Sequence, residues 1–243
     1  MTAQAHKALV VGVGALEGLG ASVARRAARE GLHAFVAGRT QARLDEVVAA
    51  IAADGGRASA VVTDATDEAS VSAAFDAACA GPGALQLTVF NAGNMAAGKI
   101  ADIDARFFES AWRIGCYGGF LVGREAARRM LPAGGTLIFT GASASLRGKA
   151  GFGAFASSKG ALRNLAQALA KECGPAGLHV AHVVVDGGID GDMLRTRLPE
   201  FAREAGDRLL DLDGLAAAYW YLHRQPPRAW TFELDLRSRN EPW

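Results

Sequence analysis

Lys159 stands four residues after Phe155 in the run Phe155-Ala156-Ser157-Ser158-Lys159. Residues four apart share a helix face, so an ammonium would lie one turn beyond an aromatic ring. The ammonium can donate hydrogen bonds to sugar hydroxyls, whereas a phenylalanine ring can neither give nor take a proton. A second group of residues suits a nucleotide. Gly14, Gly18 and Gly20 follow the spacing Gly14-x-x-x-Gly18-x-Gly20, with Glu17 and Leu19 between them. Glycines admit positive φ in a turn and let backbone N–H groups approach a pyrophosphate at the next helix N-terminus. The spacing G-x-G-x-x-G fails, because Gly12 and Gly14 are followed by Glu17. Three short segments sit after other apolar runs: Gly38-Arg39-Thr40, Asp64-Ala65 and Asn91-Ala92-Gly93. A carboxylate at 64 could accept from an adenine amino group. The segment Asp186-Gly187-Gly188 reads as turn-making.

The elements that must position these residues alternate along the chain. Strands are expected at Ala8–Val13, His33–Ala37, Ala58–Thr63, Leu85–Phe90, Thr136–Thr140, Val180–Val185 and Trp230–Leu236. Helical patterns lie near Leu19–Glu30, Gln41–Ala53, Ala69–Ala80, Ala105–Leu131, Phe155–Glu172 and Gly214–Arg224. The strands read as continuous apolar runs, the pattern of strands buried on both faces of a parallel sheet. No linker, charge run or repeat divides residues 1–243, so one α/β domain is expected: a Rossmann-like, doubly wound, seven-stranded parallel sheet with helices on both faces. The irregular stretch 190–212 follows a strand end, where ligands bind in open α/β sheets, and reads either as a substrate lid or as a long surface connection.

Composition narrows the function classes. The 243 residues are 50% hydrophobic and 21% charged, enough to bury a sizeable core and unlike a disordered chain. A formal net charge of +1 offers no field for nucleic acid or anionic lipid. Three cysteines, Cys79, Cys116 and Cys173, cannot all pair, and read as buried thiols in a reducing compartment. No apolar run reaches about 18 residues, and no signal peptide is evident. A cytoplasmic protein without membrane or nucleic-acid partners is expected.

Together these features resemble the short-chain dehydrogenase/reductase family, from Lys7 to about Leu236. The family's T-G-x-x-x-G-x-G stands here as Val13-Gly14-Ala-Leu-Glu-Gly18-Leu-Gly20, its N-A-G as Asn91-Ala92-Gly93, and its Y-x-x-x-K as Phe155-x-x-x-Lys159. The resemblance implies NAD(P)(H) binding, with Gly188 as a nucleotide-side candidate on that ground alone, and a homodimer or homotetramer built on the two long helices. Among the nucleotides, NADP(H) is favoured over NAD(H), because Gly38 beside Arg39 suits a 2′-phosphate; Glu17 opposes this unless its carboxylate turns to solvent. Replacing Gly38 by aspartate is then expected to shift preference toward NADH.

The resemblance breaks at the catalytic residues. The family uses Asn, Ser, Tyr and Lys, and this chain places Gly115, Ala142 and Phe155 at the first three positions, keeping only Lys159. A one-residue slip would put Ser143 in the serine's role. Its alternative task is satisfying local backbone groups, as for Ser145, Ser157 and Ser158. Tyr117, Asp186 and Asp190 are secondary proton-donor candidates, and His182 reads as a packed imidazole. A positioned general acid contributes roughly 10²–10⁴-fold, so three functions stay open. These are an oxidoreductase on an unknown carbonyl or alcohol with an altered proton relay, a non-catalytic nucleotide binder, and a scaffold reused for non-redox chemistry. Met95, Leu146, Phe152, Met193 and Leu194 suggest an apolar small-molecule substrate, and Arg147 or Arg195 could bind an acid group.

Overall fold

The computed structural model describes residues 6–241. Seven strands form one parallel sheet in the order β3-β2-β1-β4-β5-β6-β7. They are β1 Lys7–Val11, β2 His33–Gly38, β3 Arg57–Val62, β4 Leu85–Phe90, β5 Gly135–Thr140, β6 Leu178–Asp186 and β7 Glu233–Arg237. Every residue of β1 and β6 is buried, as expected of continuous apolar runs covered from both sides. The edge strand β3 is only partly covered.

Helices α1 (Leu19–Arg29), α2 (Gln41–Ala53) and α9 (Leu212–His223) close one core with Leu44, Val47, Ile51 and Tyr219. On the other face, α3 (Glu68–Cys79), α5 (Gly118–Met130) and α6 (Gly153–Cys173) pack Phe75, Leu121, Met130 and Leu162 against Phe90 and Phe139. Each fully buried side chain of this size contributes about 1.5–3 kcal/mol. Aspartates start several helices: Asp67 accepts from Ser70 N at 2.9 Å, and Asp211 accepts from Gly214 N at 2.6 Å. Helix α1, like α2 and α6, has no side-chain cap, and its N-cap is Gly18.

Two expectations change. The single helix expected over 105–131 is α4 (Ala105–Trp112), a π-helical turn over Arg113–Tyr117, and then α5. The stretch 190–212 is folded, containing α7 (Asp192–Arg197) and α8 (Pro199–Ala205). Pro199 at the first turn of α8 is compatible with a helix start, because no N–H is needed there. The strand order reverses direction between β1 and β4, and the crevice at that switch point is where an α/β sheet receives a ligand. Among the described residues no helix is long and apolar enough to cross a membrane, and no cluster of metal-ligating side chains occurs.

Candidate active site

The glycine turn is braced from below by the turn after β4. Gly12 has φ +96°, and a Cβ there would lie 2.3 Å from Ala92 N. Only glycine lets the two turns meet so closely. The Asn91 amide donates to the Gly12 carbonyl at 3.1 Å, and Asn91 N donates to Val11 O at 2.7 Å. Asn91 therefore holds the glycine turn in place. Gly93 lies beside Lys159, whose Nζ would be 3.4 Å from an added Cβ.

Above this brace the turn is open. Gly14 is exposed, and a Cβ on it would meet nothing within 4 Å. The first N–H groups of α1 have no side-chain cap at Gly18. An uncapped helix N-terminus behind a bare glycine fits a pyrophosphate, so Gly14, Gly18, Leu19 and Gly20 form a suitable cradle for a dinucleotide. Gly20 is enclosed, with an added Cβ lying 3.0 Å from Asn91 Nδ2. The exposed Glu17 lines a polar cleft of about 630 Å³ outside α1, shared with Arg25, Arg29 and Arg195. Glu17 thus borders the α1 side of the turn. The Glu17 carbonyl accepts from Asp192 N at 2.8 Å, tying the start of α7 to the glycine turn.

Arg39 and Thr40 are exposed at the end of β2. Gly38 has a reason that its sequence context hides: a Cβ would lie 2.2 Å from the Val13 carbonyl oxygen. Its smallness serves chain packing, so Gly38→Asp is not the clean selectivity test expected above. Asp64 is exposed, and its Oδ1 accepts from both Thr66 N and Thr66 Oγ1 at 2.8 Å. The Thr66 backbone N–H chiefly holds that carboxyl below the usual carboxylate range, with smaller help from the Thr66 hydroxyl, Arg39 and Arg113. Ala65 is buried, with its carbonyl 2.8 Å from where a Gly118 Cβ would stand.

On the catalytic side, Lys159 is 4% exposed and its Nζ donates to the Thr140 carbonyl at 2.7 Å. The Thr140 hydroxyl in turn bonds the buried Tyr219 phenol at 2.8 Å. Burial pushes the Lys159 ammonium down to about 8. The Phe155 ring is half-buried against Ala96, Ile103 and Ala111, with Lys159 Nζ 6.0 Å from its centroid. Gly115 lies in the π-helical turn, where a Cβ would stand 2.6 Å from Ser158 Oγ and 3.0 Å from Ser158 Cβ. The Ser158 hydroxyl donates to Phe155 O at 2.9 Å, and the Ser157 hydroxyl donates to Gly153 O at 2.8 Å. Asparagine at 115 has no room while Ser158 stays where it is.

In the loop after β5, the local backbone task falls to Ser145, whose Oγ accepts from Ala142 N at 3.2 Å. The half-buried Ser143 hydroxyl has no protein partner among the described residues. Tyr117 stacks under the Arg113 guanidinium, 4.8 Å from its ring centroid, and packs with the core of α3 and α5. That orientation does not serve Phe155. His182 is fully buried with Nδ1 on Glu233 at 3.0 Å, and burial pushes it down to about 4; it is the packed imidazole expected. Asp190 pairs with Arg195. Asp186, buried at the end of β6, accepts from Arg147 at 3.1 Å and lies 3.3 Å from Arg237. Gly188 faces the stretch 190–212: a Cβ would lie 2.9 Å from Leu209 and 3.2 Å from Leu194, and its carbonyl accepts from Leu210 N. Met95, Ile100, Leu146, Met193 and Phe201 expose apolar surface around the carboxyl ends of the strands.

A profile of the family described as short chain dehydrogenase matches residues 7–200. The chain belongs to that family. Among short-chain dehydrogenases it is 31% identical to versicolorin reductase 1 of Dothistroma septosporum over 215 residues, covering 88% of this chain and 80% of that one. A solved short-chain dehydrogenase from Rhodopseudomonas palustris is 38% identical, with TM-score 0.81, covering 96% of this chain and 98% of that one. The fold is also that of an actinorhodin polyketide ketoreductase solved with NADPH, with TM-score 0.89 at 22% identity over 100% of both chains. The family's NAD(P) chemistry agrees with the cradle described above.

Lys159 supplies a measurable consequence. Its depressed free-state value means that it is half deprotonated near pH 8. Binding an anionic nucleotide favours the ammonium and draws its titration upward. Affinity for NADPH is therefore expected to be highest below pH 8 and to fall as pH rises through it. Calorimetric titration between pH 6.5 and 9.5 checks this. Lys159→Met should weaken binding about tenfold at pH 7 and flatten the profile; an equally steep profile in the variant would assign it to another group.

Proposed function

We propose that this chain is an NADP(H)-dependent oxidoreductase acting on an apolar carbonyl or alcohol through an altered proton relay. The observation that carries the reading is Lys159, buried beside Gly93 and Phe155 with the open glycine turn nearby. When bound, the nucleotide supplies or accepts hydride. Lys159 would hold the nucleotide by donating to its ribose hydroxyls, and Gly188 would border its nicotinamide end. Phe155 fills the tyrosine's volume without its proton, so proton delivery falls to Ser143 or to solvent. The relatives named as reductases support this reading. The exposed apolar side chains of 95–100, 146 and the lid 190–212 would receive the substrate.

The missing hydroxyls at 142 and 155 support a second reading, a nucleotide binder that does not turn over. NADPH binding without oxidation across a carbonyl panel would select it. Arg39 is proposed to meet the 2′-phosphate, with Glu17 turned away. Arg39→Gln is expected to weaken NADPH binding about tenfold and leave NADH unchanged; equal affinities for the two in the unmodified protein would defeat this. The chain is also proposed to self-associate. Phe107, Phe108, Trp112 and Phe120 are exposed on α4 and α5, and Leu165 and Leu169 are half-buried on α6. Light scattering at micromolar concentration should give a dimer or tetramer mass rather than 25.2 kDa.

A further inference from the structure

Between Glu125 and Glu172 the sequence contains no acidic residue, and the loop over the carboxyl ends of β5 and β6, residues 141–152, carries two cations, Arg147 and Lys149. Lys149 is exposed, with its Nζ 5.6 Å from the Phe152 ring centroid and no ion-pair partner among the described residues. Arg147 is built in more firmly. Only its Nη2 is engaged, at 3.1 and 3.3 Å from the two oxygens of Asp186. Asp186 is 3% exposed at the last residue of β6 and is also approached by Arg237. The buried carboxylate therefore orients the guanidinium, while Arg237 keeps Asp186 paired without it. Arg147 Nε and Nη1 have no protein acceptor among the described residues, and the side chain is 52% exposed. Leu146 beside it is 45% exposed and Phe201 of the lid reaches to Gly188, while the Glu241 carboxylate lies 3.6 Å from where a Gly187 Cβ would stand.

A pre-oriented guanidinium with two free donors at the edge of an apolar crevice has the chemistry of a carboxylate receptor. We propose that Arg147 is a specificity-determining residue that binds a carboxylate on the substrate, so that the substrate is an apolar keto or hydroxy acid. This rests on the oxidoreductase reading for its site but not for its test. Asp186 acts through Arg147 as a positioning residue.

The test uses 4-oxo-4-phenylbutanoate and its methyl ester, which share ring and ketone and differ in charge at pH 7. Calorimetric titration is run with saturating NADP+, which permits binding without reduction, and again without nucleotide. The acid is expected to bind at least tenfold tighter than the ester. Arg147→Gln should bring the acid within about twofold of the ester while leaving affinity for the ester and for NADP+ unchanged, and Arg147→Lys should restore part of the difference. The double variant Arg147→Gln with Asp186→Asn removes both charges of the pair, and must show the same selective loss if the single variant is unstable. Equal binding of acid and ester by the unmodified protein, or binding of neither, would overturn the proposal. So would an Arg147→Gln variant that weakens both ligands alike, which marks a structural role. Failure of the unmodified chain to bind NADP+ would instead overturn the oxidoreductase reading, and the nucleotide-free arm still reads the acid against the ester.

Discussion

Phe155→Tyr combined with Ala142→Ser is expected to raise NADPH-dependent reduction of a simple ketone by roughly 10²-fold or more over the parent. The lysine that would lower the new phenol's pKa is already in place, 6.0 Å from the ring centroid and anchored on Thr140. The phenylalanine ring is only half-buried, so one added oxygen is expected to cost little packing. Phe155→Tyr alone is expected to gain less, because Ala142 offers no hydroxyl to orient the carbonyl. Extending the change to Gly115→Asn works against the gain. The new Cβ would stand 2.6 Å from Ser158 Oγ, and displacing Ser158 disturbs its bond to Phe155 O. Overpacking of this kind costs about 1–3 kcal/mol. The measurement is NADPH oxidation by the parent, the single, the double and the triple variants, with melting curves for each. A parent as fast as the double would show that its proton travels by another route.

The second large effect is on stability. Gly38→Asp is expected to destabilise the fold by roughly 3 kcal/mol or more, since even the first side-chain atom meets the Val13 carbonyl at 2.2 Å and Leu44 Cδ2 at 3.2 Å. For a chain of this size that corresponds to a Tm lower by about 10 °C. Thermal melting followed by circular dichroism checks it. A Gly38→Asp variant that melts with the parent would mean that β2 and the glycine turn can separate, and would return position 38 to its simpler role in nucleotide choice.

Position 38 shows where sequence reading stops. A glycine at a strand end before an arginine looks like room left for a ligand, and the clash with a carbonyl 25 residues earlier has no local signature. The strands were legible because burial on both faces leaves continuous apolar runs: Leu85–Phe90 agrees with the structure residue for residue, as does the helix Gln41–Ala53. The π-helical turn at Arg113–Tyr117 was not legible, since Ile114, Cys116 and Tyr117 continue an ordinary helical pattern across it. Helices α7 and α8 were hidden by mixed charge and by Pro199, which opens one of them. In the site, the glycine cradle and Lys159 could be placed from spacing, whereas the pairing of Arg147 with Asp186 spans 39 residues. Asn91 was read as a candidate site residue; its task of bracing Gly12 appeared only once the two turns were seen together.

The hydrogen bond from Asp192 N to the Glu17 carbonyl has a kinetic meaning. It latches the first turn of α7 to the glycine turn proposed to receive the dinucleotide, and the contact is tight, since a Cβ on Gly191 would lie 2.6 Å from that carbonyl oxygen. For an oxidoreductase built this way, entry and exit of the two ligands are expected to be one coupled motion. Dinucleotide is expected to arrive first and leave last, and turnover to be paced by the latch releasing. Viscosity, which slows segmental motion but not hydride transfer, would then slow the enzyme.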